Sequence, residues 1–259
     1  MSVMAEEIDR ATPASRPAGG PAGYHHWHDL LFVHWRVAPE LVAPLLPRGL
    51  TLDTFDGSAW VGLVPFSISG LRPWWFPPVP GVSAFHEINV RTYVHHKGRD
   101  PGVWFFSLDA TGALAVSVAR WWWNLNYRHT AMSVRVTEEI AHYEASRRGN
   151  GRRGDAHVVA QIGPLLGADE PARPLPAGRT LPGTLEHFLL DRYILFAQAG
   201  SGPLYRGVVH HSPYVIHEAR LLACEQTLLA ANGIVTGGQP CHAAYCPGVE
   251  VEVFPLRRV

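Results

Sequence analysis

Residues 85–93 (FHEINVRTY) carry the side chains with the clearest capacity for chemistry. The segment alternates as a β-strand does, so Glu87, Asn89 and Arg91 face one way and apolar residues face the other. Aromatic residues at both ends flank the polar trio, as in the wall of a ligand cavity, although a plain solvent-exposed face would show the same alternation. In a cavity, Arg91 would hold a carboxylate or enolate, and Glu87 would orient the ligand or exchange a proton with it.

Lysine is nearly absent from this chain: Lys and Arg number 22 together, and Lys97 is the only lysine. Schiff-base catalysis requires a desolvated, neutral amine. Lys97 lies in residues 96–101 (HKGRDP), where glycine, proline and charges predict a turn between two strands. We therefore expect this amine in water at a hairpin tip, where burial cannot activate it.

Fifteen histidines and three cysteines raise the question of a metal site. Residues 24–28 (YHHWH) border an expected disordered tail and can collect metal adventitiously. Residues 241–246 (CHAAYC) offer three ligand groups but have no second Cys/His pair at zinc-ribbon spacing. We therefore predict no metal and no cofactor, with a histidine-based metalloenzyme as an alternative. Residues 210–211 (HH) could act in acid–base catalysis, because histidine titrates near neutrality, although histidines at a strand end more commonly have a structural role in a turn or cap.

Composition narrows the classes of partner and the compartment. Basic and acidic residues balance at 22 each, so no net field favours nucleic acid or an anionic membrane. The basic run 146–155 (SRRGNGRRGD) lacks the aromatic residues of a nucleic-acid site and predicts a solvated hairpin tip. No apolar run approaches about 20 residues, which argues against a membrane span. Three widely spaced cysteines suit a reducing cytoplasm.

The elements that must position these side chains are mostly strands. About ten strands with few helices predict an α+β fold, in which short helices pack outside a curved, mainly antiparallel sheet or barrel. Thr184 would cap the last helix, and Asp109 stands where it would cap the second. The predicted strands are 27–37, 59–71, 85–95, 102–109, 134–143, 155–162, 192–198, 204–210, 215–224 and 249–254, and the predicted helices are 39–46, 112–122 and 185–190.

The N-terminal segment differs from the rest of the chain. Residues 1–23 lack the apolar stretch of a signal peptide and are rich in small residues and proline, so we expect a disordered tail there. We expect residues 24–259 to form a single domain.

Several motifs in order resemble those of the YqjF-like family, the domain of unknown function 2071. They are LDTFDGSAWVGLVPF at 52–66, EINVRTYV at 87–94, GVWFFSLDA at 102–110, FLLDRY at 188–193, LYRG at 204–207 and HHSPY at 210–214. The family is similar to the acetoacetate decarboxylase superfamily. The resemblance implies a cone-shaped antiparallel β-barrel with helices packed outside and a solvent-shielded cavity.

The decarboxylases carry an Arg-Glu-x-x-Gly-Phe-Pro-Lys-Lys run, whose first lysine forms the Schiff base. The corresponding run here is 120–128 (RWWWNLNYR), which puts Tyr127 and Arg128 at the two lysine positions. A phenol cannot form an imine, so the resemblance implies a cavity that keeps a hydrogen-bond donor and a positive charge without the covalent step. Glu87 would match an acidic cavity residue of the decarboxylases.

Together these observations predict a cytoplasmic protein that binds a small anionic or carbonyl-bearing molecule, with no nucleic-acid or membrane partner and with a homo-oligomer left open. Whether it is an enzyme is also open. Catalysis would be proton transfer of the lyase or isomerase type, in which Arg91 and Arg128 stabilise oxyanion charge. Tyr127 and Glu87 would act as acid and base. The alternative is a binding or sensor protein of the same fold without turnover.

Overall fold

The structure, a computed structural model, describes residues 8–112, 127–147 and 154–259. Strands dominate these residues. They are β1 Gly23–Val37, β2 Thr51–Leu52, β3 Ala59–Pro73, β4 Phe85–His96, β5 Arg99–Ala110, β6 Tyr127–Val136, β7 Ile140–Arg147, β8 Asp155–Leu165, β9 Ile194–Gln198, β10 Leu204–His210, β11 His217–Gln226, β12 His242–Val253 and β13 Arg257–Arg258. The α-helices are α1 Pro39–Val42, α2 Leu185–Leu190 and α3 Leu228–Ala231, with 3₁₀ turns at Thr12–Ala14 and Ala43–Leu45.

The described strands form one sheet in the order β13-β10-β9-β5-β6-β7-β8-β11-β12-β1-β3-β4-β2. Neighbours run antiparallel except that β5 runs parallel to β6 and to β9. Two further pairings, β4 with β5 and β10 with β12, join strands that lie apart in this order. A dominant sheet with a few short helices confirms that part of the expected fold, and its cone-shaped barrel form stays a prediction.

The central strands are buried on both faces, which explains their unbroken apolar runs. In β1, Leu30 and Phe32 pack into one cluster, whereas Leu31 and Val33 pack into another. Helix α2 belongs to the first cluster, and helix α3 contributes Leu228 and Leu229 to the second. We name the two clusters the α2-side core and the α3-side core.

Helix α2 forms at the predicted residues. The hydroxyl of Thr184 accepts a hydrogen bond from the backbone N–H of His187, which satisfies one of the free amides of the first turn. Phe188, Leu189 and Leu190 are all buried in the α2-side core. This anchoring fixes the position of the Leu189 carbonyl, which accepts hydrogen bonds from the side chains of Arg91 and Tyr93.

The described part of the N-terminal segment, residues 8–22, contacts the rest of the chain through ion pairs and backbone hydrogen bonds. Arg10 pairs with buried Asp53 at 2.5 Å, and Arg16 pairs with Glu252 at 2.6 Å. The backbone N–H of Ala22 donates to the carbonyl of Val253 at 2.7 Å. These contacts tie this part of the segment to the strands, and β1 begins directly after it.

Two predicted elements differ from the structure or lie outside it. The single strand expected over 134–143 is wrong, because a turn separates β6 from β7 and the side chain of Thr137 accepts from the N–H of Ile140 at 3.1 Å. The helix expected over 112–122 lies outside the described residues except for Gly112. No helix in the described part of the chain has the length and hydropathy that crossing a bilayer requires.

Candidate functional site

Glu87 and Tyr127 meet in the α2-side core although two strand pairings separate them. Glu87 of β4 pairs in register with Ala110 of β5, and Tyr127 opens β6 beside Leu108 of β5. The Tyr127 hydroxyl donates a hydrogen bond to Oε2 of Glu87 at 3.0 Å. Glu87 is only 3% exposed and Tyr127 only 7%, so this contact is closed off from bulk water.

Burial changes the protonation of both groups. It raises the pKa of Glu87 to about 7, against hydrogen bonds from Tyr127 and Asn89 that lower it, and the charge of Asp109 raises it further. Burial, and then the charge of Glu87, raise the pKa of Tyr127 well above its ordinary value. Tyr127 is therefore a fixed donor, whereas Glu87 can take up and release a proton near neutral pH.

Arg91 lies on the same face of β4 as Glu87 and is 9% exposed. Its Nη2 donates to the carbonyl of Leu189 at 3.1 Å and, at 3.4 Å, to the hydroxyl of Tyr93. Its guanidinium carbon lies 5.4 Å from the ring centre of Phe32. Within the described residues, Nε has no hydrogen-bond partner and no acidic side chain pairs with the guanidinium. A buried cation without a counter-ion favours an anionic ligand.

A chain of hydrogen bonds fixes Tyr93 beside Arg91. The Tyr93 hydroxyl donates to the carbonyl of Leu189 at 2.9 Å, so its 2.7 Å contact with His34 requires Nε2 of His34 to be the donor. Nδ1 of His34 then accepts from Nδ1 of His242 at 3.0 Å. Burial holds the pKa of His34 well below its ordinary value, which keeps this ring neutral. His34 was not among the residues predicted from the sequence, where its only signal is a polar side chain within the apolar run of β1.

Gly62 makes room for this arrangement. It pairs in register with His34 of β1 on one side and with Arg91 of β4 on the other. A Cβ at this position would lie 3.1 Å from the His34 ring and 3.3 Å from Cγ of Arg91. The missing side chain therefore lets both polar groups lie over the same point of β3.

Arg128 does not join this group, which corrects our expectation that it supplies a second cation beside Arg91. Tyr127 pairs in register with Leu108, whereas Arg128 pairs with Asp109. Successive residues of a strand point to opposite faces, so Arg128 lies on the α3 side of the sheet. The resemblance placed two adjacent residues in one cavity, and the pleat of β6 separates them.

The α3 side of the sheet holds a second polar network, which was not predicted from the sequence. Arg147 donates two hydrogen bonds to the carboxylate of Asp109, at 2.6 and 2.7 Å, and a third to Ser107 at 3.1 Å. Asn232 also donates to Ser107, at 3.0 Å. Asp109 therefore lies within β5 and pairs with an arginine, whereas the sequence predicted it as a helix cap. Arg147, which was predicted to lie in a solvated hairpin tip, is buried. The alternation of Ser107 and Asp109 in an apolar strand was the available signal.

Comparisons with known proteins agree with this architecture. The sequence model of DUF2071, described as an uncharacterized conserved protein, matches residues 24–250. The chain belongs to the DUF2071 family. It is 34% identical over 233 residues to the uncharacterized protein YqjF of Bacillus subtilis (strain 168), covering 90% of each chain. This finding confirms the YqjF-like resemblance.

Solved structures extend the DUF2071 assignment to a fold. The enduracididine biosynthesis enzyme MppR complexed with pyruvate matches with a TM-score of 0.60 and 13% identity, over 94% of this chain and 93% of that chain. An acetoacetate decarboxylase-like enzyme from Sphingomonas wittichii RW1 matches with a TM-score of 0.62 and 13% identity, over 93% and 94%. Acetoacetate decarboxylase from Legionella pneumophila matches with a TM-score of 0.59 and 14% identity, over 96% and 92%. At these identities the likeness shows an acetoacetate decarboxylase-like fold.

This DUF2071 protein has no lysine near the site. Lys97 is exposed in the turn between β4 and β5, beside the pairing of His96 with Arg99, as the sequence predicted. The alignment of residues 120–128 with the decarboxylase lysine run stays a prediction, and the structure describes only the last two of these residues. Tyr127, which the resemblance would place at the position of the imine-forming lysine, is buried against Glu87.

The histidine and cysteine motifs of the sequence are dispersed in the structure. Cys241 is exposed, whereas Cys246 is buried. His211 is buried between the rings of Tyr193 and Tyr214, at centroid distances of 4.7 and 4.4 Å. Burial lowers the pKa of His211 to about 4, so it is neutral at physiological pH and does not supply a cationic acid.

Proposed function

We propose that this DUF2071 protein binds a small carbonyl-bearing, anionic molecule on the α2 side of the sheet and moves a proton to or from it through Glu87. The observation that carries the proposal is the buried contact between Glu87 and Tyr127 at 3.0 Å, with a Glu87 pKa of about 7. A carboxyl that titrates near neutrality can remove a proton next to a carbonyl group and return it at a second carbon.

Arg91 supplies the recognition of the anion. Glu87 and Arg91 lie four residues apart on one face of β4, which separates their Cα atoms by about 13 Å. We propose that the ligand lies between these two side chains, with its anionic group towards Arg91 and its carbonyl group towards Glu87. The structures of MppR with pyruvate, and with a condensation product of pyruvate and imidazole 4-carboxaldehyde, support this ligand class.

The chemistry we propose proceeds without an imine. Lys97 is the only lysine of the chain and is exposed at a turn. Glu87 would act as the base, and the Tyr127 hydroxyl would turn from Glu87 when the ligand binds, so that its one proton is donated to the oxygen on which negative charge develops. We further propose that the sheet curves into a cone around this face, and the additional pairings of β4 with β5 and β10 with β12 support such closure.

The test is solvent deuterium exchange into pyruvate, 2-oxobutyrate and acetoacetate, followed by proton NMR. The wild-type chain should accelerate exchange at the carbon next to the carbonyl of at least one of the three. Glu87→Gln should abolish the acceleration, and Tyr127→Phe should reduce it roughly 100-fold if its donor stabilises the developing charge. Lys97→Gln is the matched control and should exchange as the wild type does. Equal exchange by wild type and Glu87→Gln would refute the proposal.

A binding protein without turnover is the second candidate, because Tyr127 and Asn89 already hydrogen-bond to Glu87. It predicts that pyruvate or a homologue binds, with loss of binding in Arg91→Ala, while no deuterium enters. A cytoplasmic location, and a homo-oligomer as an open alternative, stay predictions from the sequence.

A further inference from the structure

Three metal-ligating side chains converge on the solvent side of β7 and β8. Alternate residues of β7, among them Tyr143, pack into the α3-side core, so His142 and Glu144 point away from it. His157 of β8 is the register partner of Glu144 and therefore shares its face. His142 and His157 are half-buried, and Glu144 is exposed.

The ligand atoms of this cluster lie at distances that suit one ion. Nε2 of His142 is 3.0 Å from Nε2 of His157 and 3.6 Å from Oε1 of Glu144. All three ligand atoms lie within 4.8 Å of one another. Zn–N bonds of about 2.0–2.1 Å place two nitrogen ligands of a tetrahedral zinc about 3.3 Å apart. The two imidazole nitrogens thus already have nearly the spacing that a shared ion imposes.

We propose that His142, Glu144 and His157 bind Zn²⁺, with a fourth coordination position open to water. Two imidazoles and one carboxylate are a ligand set that zinc accepts, and three protein ligands with one open position differ from a closed structural site. Glu225 of β11 pairs in register with His157 and adds a second exposed carboxylate at the rim. Arg135 of β6, opposite His142, is exposed and balances part of this charge.

This site is separate from the Glu87 site. Ser133 of β6 pairs in register with Glu144, and Ser133 is six residues along β6 from Tyr127. At about 3.3 Å per residue this separation is roughly 20 Å. The zinc proposal therefore does not depend on the proposed proton transfer, and either can fail alone.

The sequence shows only part of this proposed zinc site. His142 and Glu144 form a His-x-Glu pair that becomes a chelate only if the segment is a strand, because two-residue spacing then puts both on one face. The third ligand is 13 residues beyond Glu144 in the chain, across a hairpin whose residues 148–153 lie outside the described part. The strand register was needed to bring it into place.

The experiment is zinc binding by the full chain, purified without a histidine tag and stripped with EDTA. Equilibrium dialysis against Zn²⁺ with elemental analysis gives the stoichiometry, and competition with a chelating dye gives Kd. Loss of supporting residues around zinc ligands costs about 10–100-fold in affinity, so His157→Ala should cost at least that much. His142→Ala/His157→Ala should bind no zinc at this site. The matched control, His26→Ala/His129→Ala, removes two histidines elsewhere and should bind as the wild type does.

Glu144→Gln keeps the side-chain shape and should also weaken zinc binding, which decides the matter if an alanine variant does not fold. Co²⁺ is a second probe, because its visible absorption reports a four-coordinate site. The wild type should show those bands, and the double histidine variant should not. Equal zinc affinity in the wild type, the double variant and Glu144→Gln would overturn the proposal, as would a wild type that binds no zinc.

Discussion

The hydroxyl of Tyr127 donates a 3.0 Å hydrogen bond to the buried carboxylate of Glu87. The two residues come from β4 and β6, which do not pair with each other. Both strands pair with β5, and its register with each of them brings the two side chains into contact. A carboxyl in this setting is costly to ionise, because it has lost water and received few donors in return. The contact therefore joins a fixed donor to a group whose charge changes near neutral pH.

The first prediction concerns stability and pH. Because burial raises the pKa of Glu87 from 4.5 to about 7, the native state keeps a proton that the unfolded chain releases above about pH 4.5. Stability from this group is full below about pH 4.5 and is lost as pH rises to about 7, an effect on the order of 3 kcal/mol. Urea unfolding at pH 4.5 and pH 7.5 should show a larger fall in the free energy of unfolding for wild type than for Glu87→Gln. An identical fall in both proteins would contradict it.

The second prediction separates function from stability at Arg91. Within the described residues Arg91 has no acidic partner to offset the loss of its hydration, so an apolar side chain of similar shape removes a desolvation cost from the folded state. Arg91→Met should therefore unfold at the same or a higher temperature than wild type while it loses binding of pyruvate or its homologues. The exposed Arg99→Met is the control and should keep both properties. Retained ligand binding in Arg91→Met would remove Arg91 from the site.

The third prediction concerns Gly62. A methyl group here would press on the His34 ring and on Arg91, and overpacking of this kind costs about 1–3 kcal/mol. Gly62→Ala should lower the free energy of unfolding by this amount and weaken ligand binding, because Arg91 must move. Gly238→Ala adds a methyl group where no atom lies within 4 Å and should change neither property. Equal behaviour of the two variants in urea unfolding would argue against close packing at Gly62.

The fourth prediction concerns the buried ion pair between Asp109 and Arg147 on the α3 side of the sheet. Asp109→Asn leaves Arg147 buried without its carboxylate, and breaking a buried pair costs about 3–5 kcal/mol. Because the charge of Asp109 raises the pKa of Glu87, this variant should also shift the Glu87 titration to lower pH. As a control, Glu252→Gln breaks the more exposed pair with Arg16 and should cost under about 1 kcal/mol. A Glu87 titration at the same or a higher pH in Asp109→Asn would contradict the electrostatic coupling.

Features that depend on a few neighbouring residues could be predicted from the sequence. The alternation of β4 placed Glu87 and Arg91 on one face, and the turn residues around Lys97 placed that amine at an exposed tip. Thr184 marked the start of α2. These features follow from strand pleating, turn chemistry and helix capping, which span only a few residues.

The missed features all depend on pairing between distant segments. His34 contacts Tyr93 across 59 residues, and Asp109 contacts Arg147 across 38. Arg128 was misplaced because a motif comparison carries no information on which way each residue of β6 points, and a shift of one residue reverses every side chain. The sequence could therefore name candidate residues, but the register of β5 and β6 decided which of them meet.

The titration of the Glu87 carboxyl tests the central claim most directly. Infrared difference spectra between wild type and Glu87→Gln, recorded from pH 4 to pH 9, isolate the carboxyl and carboxylate bands of this one residue. The account predicts a protonated carboxyl at pH 5 and a midpoint near pH 7. A carboxylate already formed at pH 5, with a midpoint near 4.5, would contradict it.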